Sequence, residues 1–418
     1  MFFFPGYVTD KEDNGSIIVC SSLRQNKIRI SDKEFIKEFE LLKIQGGCRE
    51  LSTPLRKLLY EQEFLQTIPE IEASLQKVKK LLDNELFLTI MPTEECNFRC
   101  QYCYEAHSPQ VISAKRIEHI KQYILEQLPN CKNIHIGWFG GEPTLCKSII
   151  LEFSNFLKKL QVQHNICYNA DMTTNGFLLD KKSFIQYYDA GITGYQITLD
   201  GFQHDSLRPH VSGKRTLQTI LNNLSTLSAL PKDQYQFHIT LRRNILAGEQ
   251  DYSWYDYLAK LFGDDSRFSV SVVSVNDWGG DAVKSLDILA AEQKQAIYSA
   301  HENYLNKVGL VLNKKTTYPF SNICCASRPK GFIFRANGNI EKCTIAIDNP
   351  NNKVGYIDTE KGVILDKNAC DRWCTSNVEP KCFTCPDILS CLNQSCRKGV
   401  ILDGKPDGYC VCALVGDC

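Results

Sequence analysis

Three cysteines stand within eight residues, Cys96, Cys100 and Cys103, in the stretch Glu-Glu-Cys-Asn-Phe-Arg-Cys-Gln-Tyr-Cys-Tyr-Glu. Spacings of three and then two residues put three thiols on one loop, one ligand short of a closed tetrahedral site. Structural zinc sites normally complete their own four ligands, and a cubane iron–sulfur cluster also needs four. A cubane held by three cysteines leaves one iron open to another molecule, so the spacing predicts a reactive cluster.

A second concentration of thiols lies near the C-terminus. Twelve of the 20 cysteines fall between Cys324 and Cys418, and residues 168–323 contain none. Cys324 or Cys325 precedes Gly338 and Cys343; Cys382 and Cys385 follow, then Cys391, Cys396 and finally Cys410 or Cys412. The chain is large, shows no export signal and carries only about half the cysteine density of disulfide scaffolds. Clustering of this kind favours metal over disulfides. Cys20, Cys48, Cys131, Cys146 and Cys167 read as core or incidental thiols. His107, His204 and His210 have no second histidine at ligand spacing and are expected to be surface or hydrogen-bonding residues.

The 418 residues hold 48 Lys plus Arg and 48 Asp plus Glu, a formal charge of zero. Balance of this kind gives no electrostatic case for nucleic acid or an anionic membrane. The opening Met-Phe-Phe-Phe-Pro-Gly-Tyr lacks the basic and long apolar segments of a signal peptide, and no apolar run is long enough to span a bilayer. A cytoplasmic location is the expectation.

Three units are expected. In residues 1–85, Ser16 to Cys20 and Lys27 to Ile30 read as strands, and Ser31 with Glu34 as a capping box before Phe35, Phe39 and Leu42. Further helices are expected from Thr53-Pro54 and from Pro69, giving a winged-helix-like unit. In residues 86–315, apolar strands alternate with amphipathic helices: Leu86 to Ile90, Asn133 to Trp138, Ile166 to Ala170, Gly194 to Leu199, Gln236 to Leu241 and Phe268 to Val273. One helix carries Ile117, Ile120, Ile124 and Leu128 on one face, and six such repeats predict a parallel barrel or open parallel sheet. Functional groups gather at the carboxyl ends of such strands, where the three-cysteine loop lies. Residues 316–418, rich in Gly, Asn, Asp, Pro and Cys, read as a segment with little hydrophobic material, held together by metal centres.

Other strand ends carry polar motifs. Phe139-Gly140-Gly141-Glu142-Pro143 ends the second strand; paired glycines would let a ligand approach the backbone, and the carboxylate could accept from an ammonium group. Thr173-Thr174-Asn175 follows the third strand, Asp200-Gly201 the fourth, and Arg242 with Asn244 the fifth. Trp278-Gly279-Gly280-Asp281 reads first as a plain turn, with a loop near the barrel mouth as the alternative.

Cys96, Cys100 and Cys103, with the Gly-Gly-Glu turn behind them, resemble the signature of the radical S-adenosylmethionine (radical SAM) enzymes. The resemblance implies a partial (β/α)6 TIM-like barrel in an α/β chain, a cluster on these three catalytic cysteines and S-adenosylmethionine on its open iron. Reductive cleavage would yield a 5′-deoxyadenosyl radical that abstracts hydrogen from substrate. Tyr102, Gly140, Gly141, Glu142, Thr174, Asn175, Asp200 and Arg242 would then contact the cofactor.

The C-terminal array resembles the SPASM domain, which implies two auxiliary four-iron clusters and so three [4Fe-4S] clusters in all. By that likeness Cys324, Cys343 and Cys396 serve one auxiliary cluster, and Cys382, Cys385, Cys391 and Cys410 the other. The Cys391 to Cys396 interval is one residue longer than the commonest pattern, which leaves the partition open. The fourth ligand of the first cluster lies among Cys325, Cys370, Cys374 and a substrate thiolate. With the N-terminal unit likened to a leader-peptide recognition element, the resemblance implies a peptide maturase that forms thioether links. Its partners would be a precursor peptide and a small electron donor of the flavodoxin or ferredoxin type. An anaerobic sulfatase maturase, and a non-catalytic iron–sulfur or zinc protein, are the alternatives.

Overall fold

The computed structural model describes residues 1–4, 7–11, 15–21, 26–249, 251–312, 323–374, 382–383, 385, 388 and 396–405. Strand β1 (Phe2–Phe3) opens the chain, and β2 (Tyr7–Lys11), β3 (Ile17–Ser21) and β4 (Lys27–Ile30) form an antiparallel sheet in that order. Helix α1 (Lys33–Gln45), β5 (Gly47–Cys48), α2 (Pro54–Glu61) and α3 (Ile68–Asp83) follow, with β1 paired to β5.

Strand β2 is an addition to the two foreseen, since its mixed sequence shows no clear alternation. The expected Ser31 capping box is corrected: Asp32 caps α1, its Oδ1 accepting from the Glu34 and Phe35 amides at 2.9 and 3.0 Å. A carboxylate one residue nearer the helix reaches both amides, and Ser31 instead pairs with Ser16. Phe39 and Leu42 are buried, but Phe35 stays exposed. Helix α2 starts as expected behind Thr53, and α3 starts one residue before Pro69, behind a Thr67–Glu70 capping box.

The large sheet begins with β6 (Glu85–Ile90), followed by α4 (Ala114–Gln127), β7 (Asn133–Trp138), α5 (Lys147–His164), β8 (Cys167–Thr174), α6 (Lys181–Asp189) and β9 (Ile192–Thr198). Short α7 (His204–Leu207), α8 (Leu217–Ser228), β10 (His238–Ile245), α9 (Ser253–Phe262), β11 (Phe268–Ser274) and α10 (Ala291–Lys307) complete the repeat. The six strands pair in sequence order, all parallel, with helices in the connections between them. Ile117, Ile120, Ile124 and Leu128 are all buried in the core between this sheet and its helices.

Two boundaries move in a way that matters for the site. β8 runs on through Thr174 and β10 through Ile245, so Thr173, Thr174, Arg242 and Asn244 belong to strands rather than to the loops after them. Parallel pairing with β11, Arg242 to Ser271 and Asn244 to Val273, draws these polar residues into the sheet.

The sheet does not stop at residue 315. Strand β12 (Gly331–Phe334) pairs in parallel with β6, and β13 (Asn339–Glu341), β14 (Lys353–Asp358) and β15 (Gly362–Leu365) add an antiparallel meander. Helices α11 (Lys367–Cys374) and α12 (Arg397–Ile401) follow. The expectation of little hydrophobic material here is corrected: Phe332, Phe334, Ile340, Val354 and Trp373 are buried in the barrel's own hydrophobic core. Strand addition to β6 lets this segment borrow an existing core.

Candidate active site

The loop after β6 is fixed before it meets any ligand. Thr93 Oγ1 donates to the Gln110 carbonyl at 2.9 Å, the Phe98 amide donates to Cys96 Sγ at 3.3 Å, and the Cys103 amide closes a turn on the Cys100 carbonyl at 3.1 Å. On either side of Cys100 the loop is tied to the C-terminal end of α7 and the residues after it, the Arg99 and Gln101 amides donating to the Pro209 and Leu207 carbonyls. Burial pushes the Cys96 and Cys103 thiols up to about 12 and raises Cys100 as well, with the neighbouring thiols and carboxylates adding to Cys96 and Cys103. Three desolvated thiols on one loop ionise only with a counter-charge, which iron supplies, so the donor set fits the cluster implied by the spacing.

The glycines of the Gly-Gly-Glu turn admit the cysteine loop itself. A Cβ on Gly140, at φ +116°, would lie 2.3 Å from the Thr93 carbonyl oxygen, and one on Gly141 would lie 2.3 Å from that of Glu95. The Glu142 amide donates to the Glu95 carbonyl at 2.9 Å. Both oxygens of the buried Glu142 carboxylate are engaged. Oε1 accepts from the Thr144 amide, Thr144 Oγ1 and Thr174 Oγ1 at 3.1, 2.5 and 2.6 Å, and Oε2 from the Asn175 amide at 2.7 Å. Burial raises its pKa against the pull of these bonds. Asn175 continues the chain of contacts, its Nδ2 donating to Asn97 Oδ1 at 2.8 Å inside the cysteine loop.

Tyr102 is the second anchor. Its phenol bonds Asp200 and accepts from Arg208 at 2.8 Å and Asn244 Nδ2 at 3.0 Å. Asp200 Oδ1 accepts from the Asn244 amide and Nδ2, and Asn244 Oδ1 from Arg242 Nε at 3.0 Å. The ends of the fourth and fifth strands thus converge on the cysteine loop. Arg208 is buried beside Cys100, whose thiol it pulls down against the larger effect of burial. Beside it, burial holds the His204 imidazole down at about 3, neutral and inside the fold.

Arg208 and Asn97 were not foreseen; each is an isolated polar residue whose role appears only when distant strand ends meet. The Trp278–Asp281 segment is more than a plain turn, because a Cβ on Gly280, at φ +89°, would lie 2.7 Å from the Cys103 carbonyl oxygen.

Arg335, at the end of β12, binds the cysteine loop to the C-terminal meander. Its guanidinium donates to both Glu94 oxygens at 3.0 and 2.9 Å, to Glu341 at 3.0 Å and to Asp348 at 2.5 Å. Burial opposes its charge, but these bonds outweigh it and raise its pKa.

Among the described residues the C-terminal thiols fall into three groups. The free thiols of Cys324 and Cys325 share a hydrogen bond, and burial pushes Cys343 up to about 12 with Cys324 and Cys396 adding to the effect, so these four lie close to one another. Cys370 and Cys374 flank the buried Lys342, on which Cys325 also acts and whose Nζ lies 3.6 Å from Cys374 Sγ and 2.7 Å from the Arg328 carbonyl. Cys382 and Cys385 share a turn, the Cys385 amide donating to the Cys382 carbonyl at 2.9 Å. Cys391, Cys410 and Cys412 lie outside the described residues.

Comparison with known proteins agrees with this geometry. Residues 90–251 match the Radical SAM superfamily. GTP 3′,8-cyclase of Actinobacillus pleuropneumoniae serotype 7 is 25% identical over 197 residues, 45% of this chain and 55% of that protein. The Haemophilus ducreyi enzyme of the same name is 26% identical over 171 residues, 40% and 47%. The chain thus spans about half the length of these curated relatives.

Among solved structures, anSMEcpe with bound AdoMet and Cp18Cys peptide is similar at TM-score 0.52 and 16% identity, covering 78% of this chain and 94% of that one. Streptococcus suis SuiB bound to precursor peptide SuiA is similar at TM-score 0.51 and 13% identity, covering 98% of both chains. At these identities the likeness shows the fold, a mixed α/β architecture built on a partial TIM barrel. The three-cysteine loop, at the carboxyl end of the first barrel strand, falls within residues 90–251, the stretch that matches the Radical SAM superfamily.

Proposed function

We propose that this protein is a cytoplasmic radical SAM peptide maturase that forms thioether links from a cysteine sulfur to carbon in a ribosomally made precursor. The observation that carries the reading is the pairing of the three-thiol loop with a second thiol group, Cys324, Cys325, Cys343 and Cys396, on a segment that extends the same sheet. A cluster with bound S-adenosylmethionine supplies a carbon radical able to abstract hydrogen. Cys96, Cys100 and Cys103 would hold that cluster, and the strand-end network around Glu142 and Tyr102 keeps their loop in place.

Two auxiliary clusters in a SPASM arrangement belong to this reading, and the grouping of the thiols supports Cys325 over Cys370 and Cys374 as the fourth protein ligand of the first. The antiparallel sheet β2-β3-β4 with its three helices would capture the leader by strand addition. A flavodoxin or ferredoxin type donor would supply electrons. SuiB, with its precursor peptide, resembles this chain over 98% of its length, N-terminal unit included, which favours a precursor peptide over the sulfatase substrate of the alternative reading.

Reduced, reconstituted protein incubated with S-adenosylmethionine and a cysteine-containing precursor should give deoxyadenosine and a peptide lighter by two hydrogens per link. A peptide carrying formylglycine, or no peptide change beside deoxyadenosine release, would refute thioether formation.

A further inference from the structure

The barrel's concave face carries a carboxylate that its own chain leaves half satisfied. Ile136 and Trp138 of β7, Ala170 and Met172 of β8, and Tyr195 and Ile197 of β9 belong to the core shared with the helices. The residues alternating with them therefore line the opposite face of the sheet. Register sets Thr89, Gly137, Asp171, Gly194 and His238 side by side on five neighbouring strands. In that row a single carboxylate has glycine on both flanks. A Cβ at Gly194 would stand 3.0 Å from Asp171 Cβ, and one at Gly137 would stand 3.5 Å from both Asp171 Oδ1 and Thr89 Oγ1. A side chain at Gly194 would press on the Asp171 Cβ, and one at Gly137 would stand in contact with its Oδ1.

Asp171 is 48% exposed although it sits inside the barrel. Its Oδ2 accepts from His135 Nε2 at 2.8 Å, while Oδ1 accepts from no group among the described residues. The imidazole is fixed from its other side by stacking on Phe87, centroids 4.3 Å apart and planes 11° apart, and Phe87 in turn has the Arg328 guanidinium 4.7 Å from its centroid. Arg242, a cation of the same face, is held by Asn244 nearer the strand ends. A negative charge in a concave polar wall with a free, oriented oxygen draws a cation.

We infer that this recess is a specificity site for a lysine or arginine side chain of the substrate peptide, its ammonium or guanidinium seated on Asp171 with His135 as brace. The inference rests on the peptide-maturase reading. Asp171 lies three residues before Thr174, the last of β8, a depth of about 10 Å at about 3.3 Å per residue. An extended lysine or arginine entering at the strand ends spans most of that distance, and the guanidinium suits a carboxylate particularly well.

The test uses the full-length, cluster-reconstituted protein with N-acetyl-arginine amide, N-acetyl-lysine amide and the neutral isostere N-acetyl-citrulline amide, followed by calorimetry and saturation-transfer NMR. The arginine and lysine amides should bind at least about tenfold more tightly than the citrulline amide. Asp171→Asn and Gly194→Val should abolish the preference, and Asp171→Glu should keep it, with circular dichroism confirming that each variant folds. Equal binding of arginine and citrulline amides to the wild-type protein would overturn the inference without recourse to any variant, as would undiminished arginine selectivity in folded Asp171→Asn. Reductive cleavage of S-adenosylmethionine separates the two failures. Cleavage without cation selectivity removes the recess alone, whereas selectivity without cleavage removes the maturase reading.

Discussion

The Arg208 guanidinium donates to the Tyr102 phenol at 2.8 Å across 106 positions of sequence, and Asp200 and Asn244 complete the same knot. One aromatic hydroxyl therefore ties the cysteine loop to two strand ends. Tyr102→Phe keeps the ring and leaves Arg208, Asn244 and Asp200 each short of a partner, so it should destabilise the fold by about 1–3 kcal/mol. Urea denaturation of the full chain measures this, and a midpoint equal to wild type would show the knot to be slack.

Gly141→Ala should displace the cysteine loop, because the new methyl would meet the Glu95 carbonyl at 2.3 Å, and backbone gives way less readily than a side chain. The expected result is a fall in iron by one cluster's worth after reconstitution, with the C-terminal thiols still loaded. Iron content equal to wild type would show that the two backbones separate at little cost.

Arg335→Met should cost about 3–5 kcal/mol, since it leaves Glu94 and Glu341 buried without their cation. Adding Glu341→Gln should recover part of that loss by removing one stranded charge. A double variant no more stable than the single one would show that Glu341 does not need the guanidinium.

How far the sequence alone carries the fold can be judged from particular residues. The strands Asn133–Trp138 and Lys27–Ile30 and the start of α2 were readable to the residue because period-two runs and a Thr-Pro cap are local signals. The ends of β8 and β10 were not, since Thr173, Arg242 and Asn244 are polar residues held in strands by parallel neighbours, a non-local effect. The docking of β12 on β6 was hidden for the same reason. Within the site, Cys96, Cys100 and Cys103 were legible from spacing. The inward-facing use of Glu142 and the part played by Arg208 depend on chain segments that meet only in three dimensions.

The buried His301 gives a pH dependence. Its ring accepts from or donates to the Tyr255 hydroxyl at 2.7 Å, and burial, with Arg243 adding, holds its pKa down at about 4. An unfolded histidine titrates near 6.5, so the unfolded state binds the extra proton first as pH falls. Stability from this group is full above about 6.5 and is lost towards pH 4, with a limiting slope of about 1.4 kcal/mol per unit. In His301→Gln the urea stability profile between pH 6.5 and 4 should be shallower by up to that slope. An unchanged difference profile would place the imidazole in contact with water.

The central claim is that Cys96, Cys100 and Cys103 present an open iron to S-adenosylmethionine. Its most direct measurement is electron paramagnetic resonance of the dithionite-reduced protein before and after S-adenosylmethionine is added, alongside the Cys96→Ala/Cys100→Ala/Cys103→Ala variant. The account predicts a cluster signal that changes on addition in the wild-type protein, with that responsive component missing from the variant. A wild-type signal that S-adenosylmethionine leaves untouched, or a responsive component that survives in the variant, would contradict it.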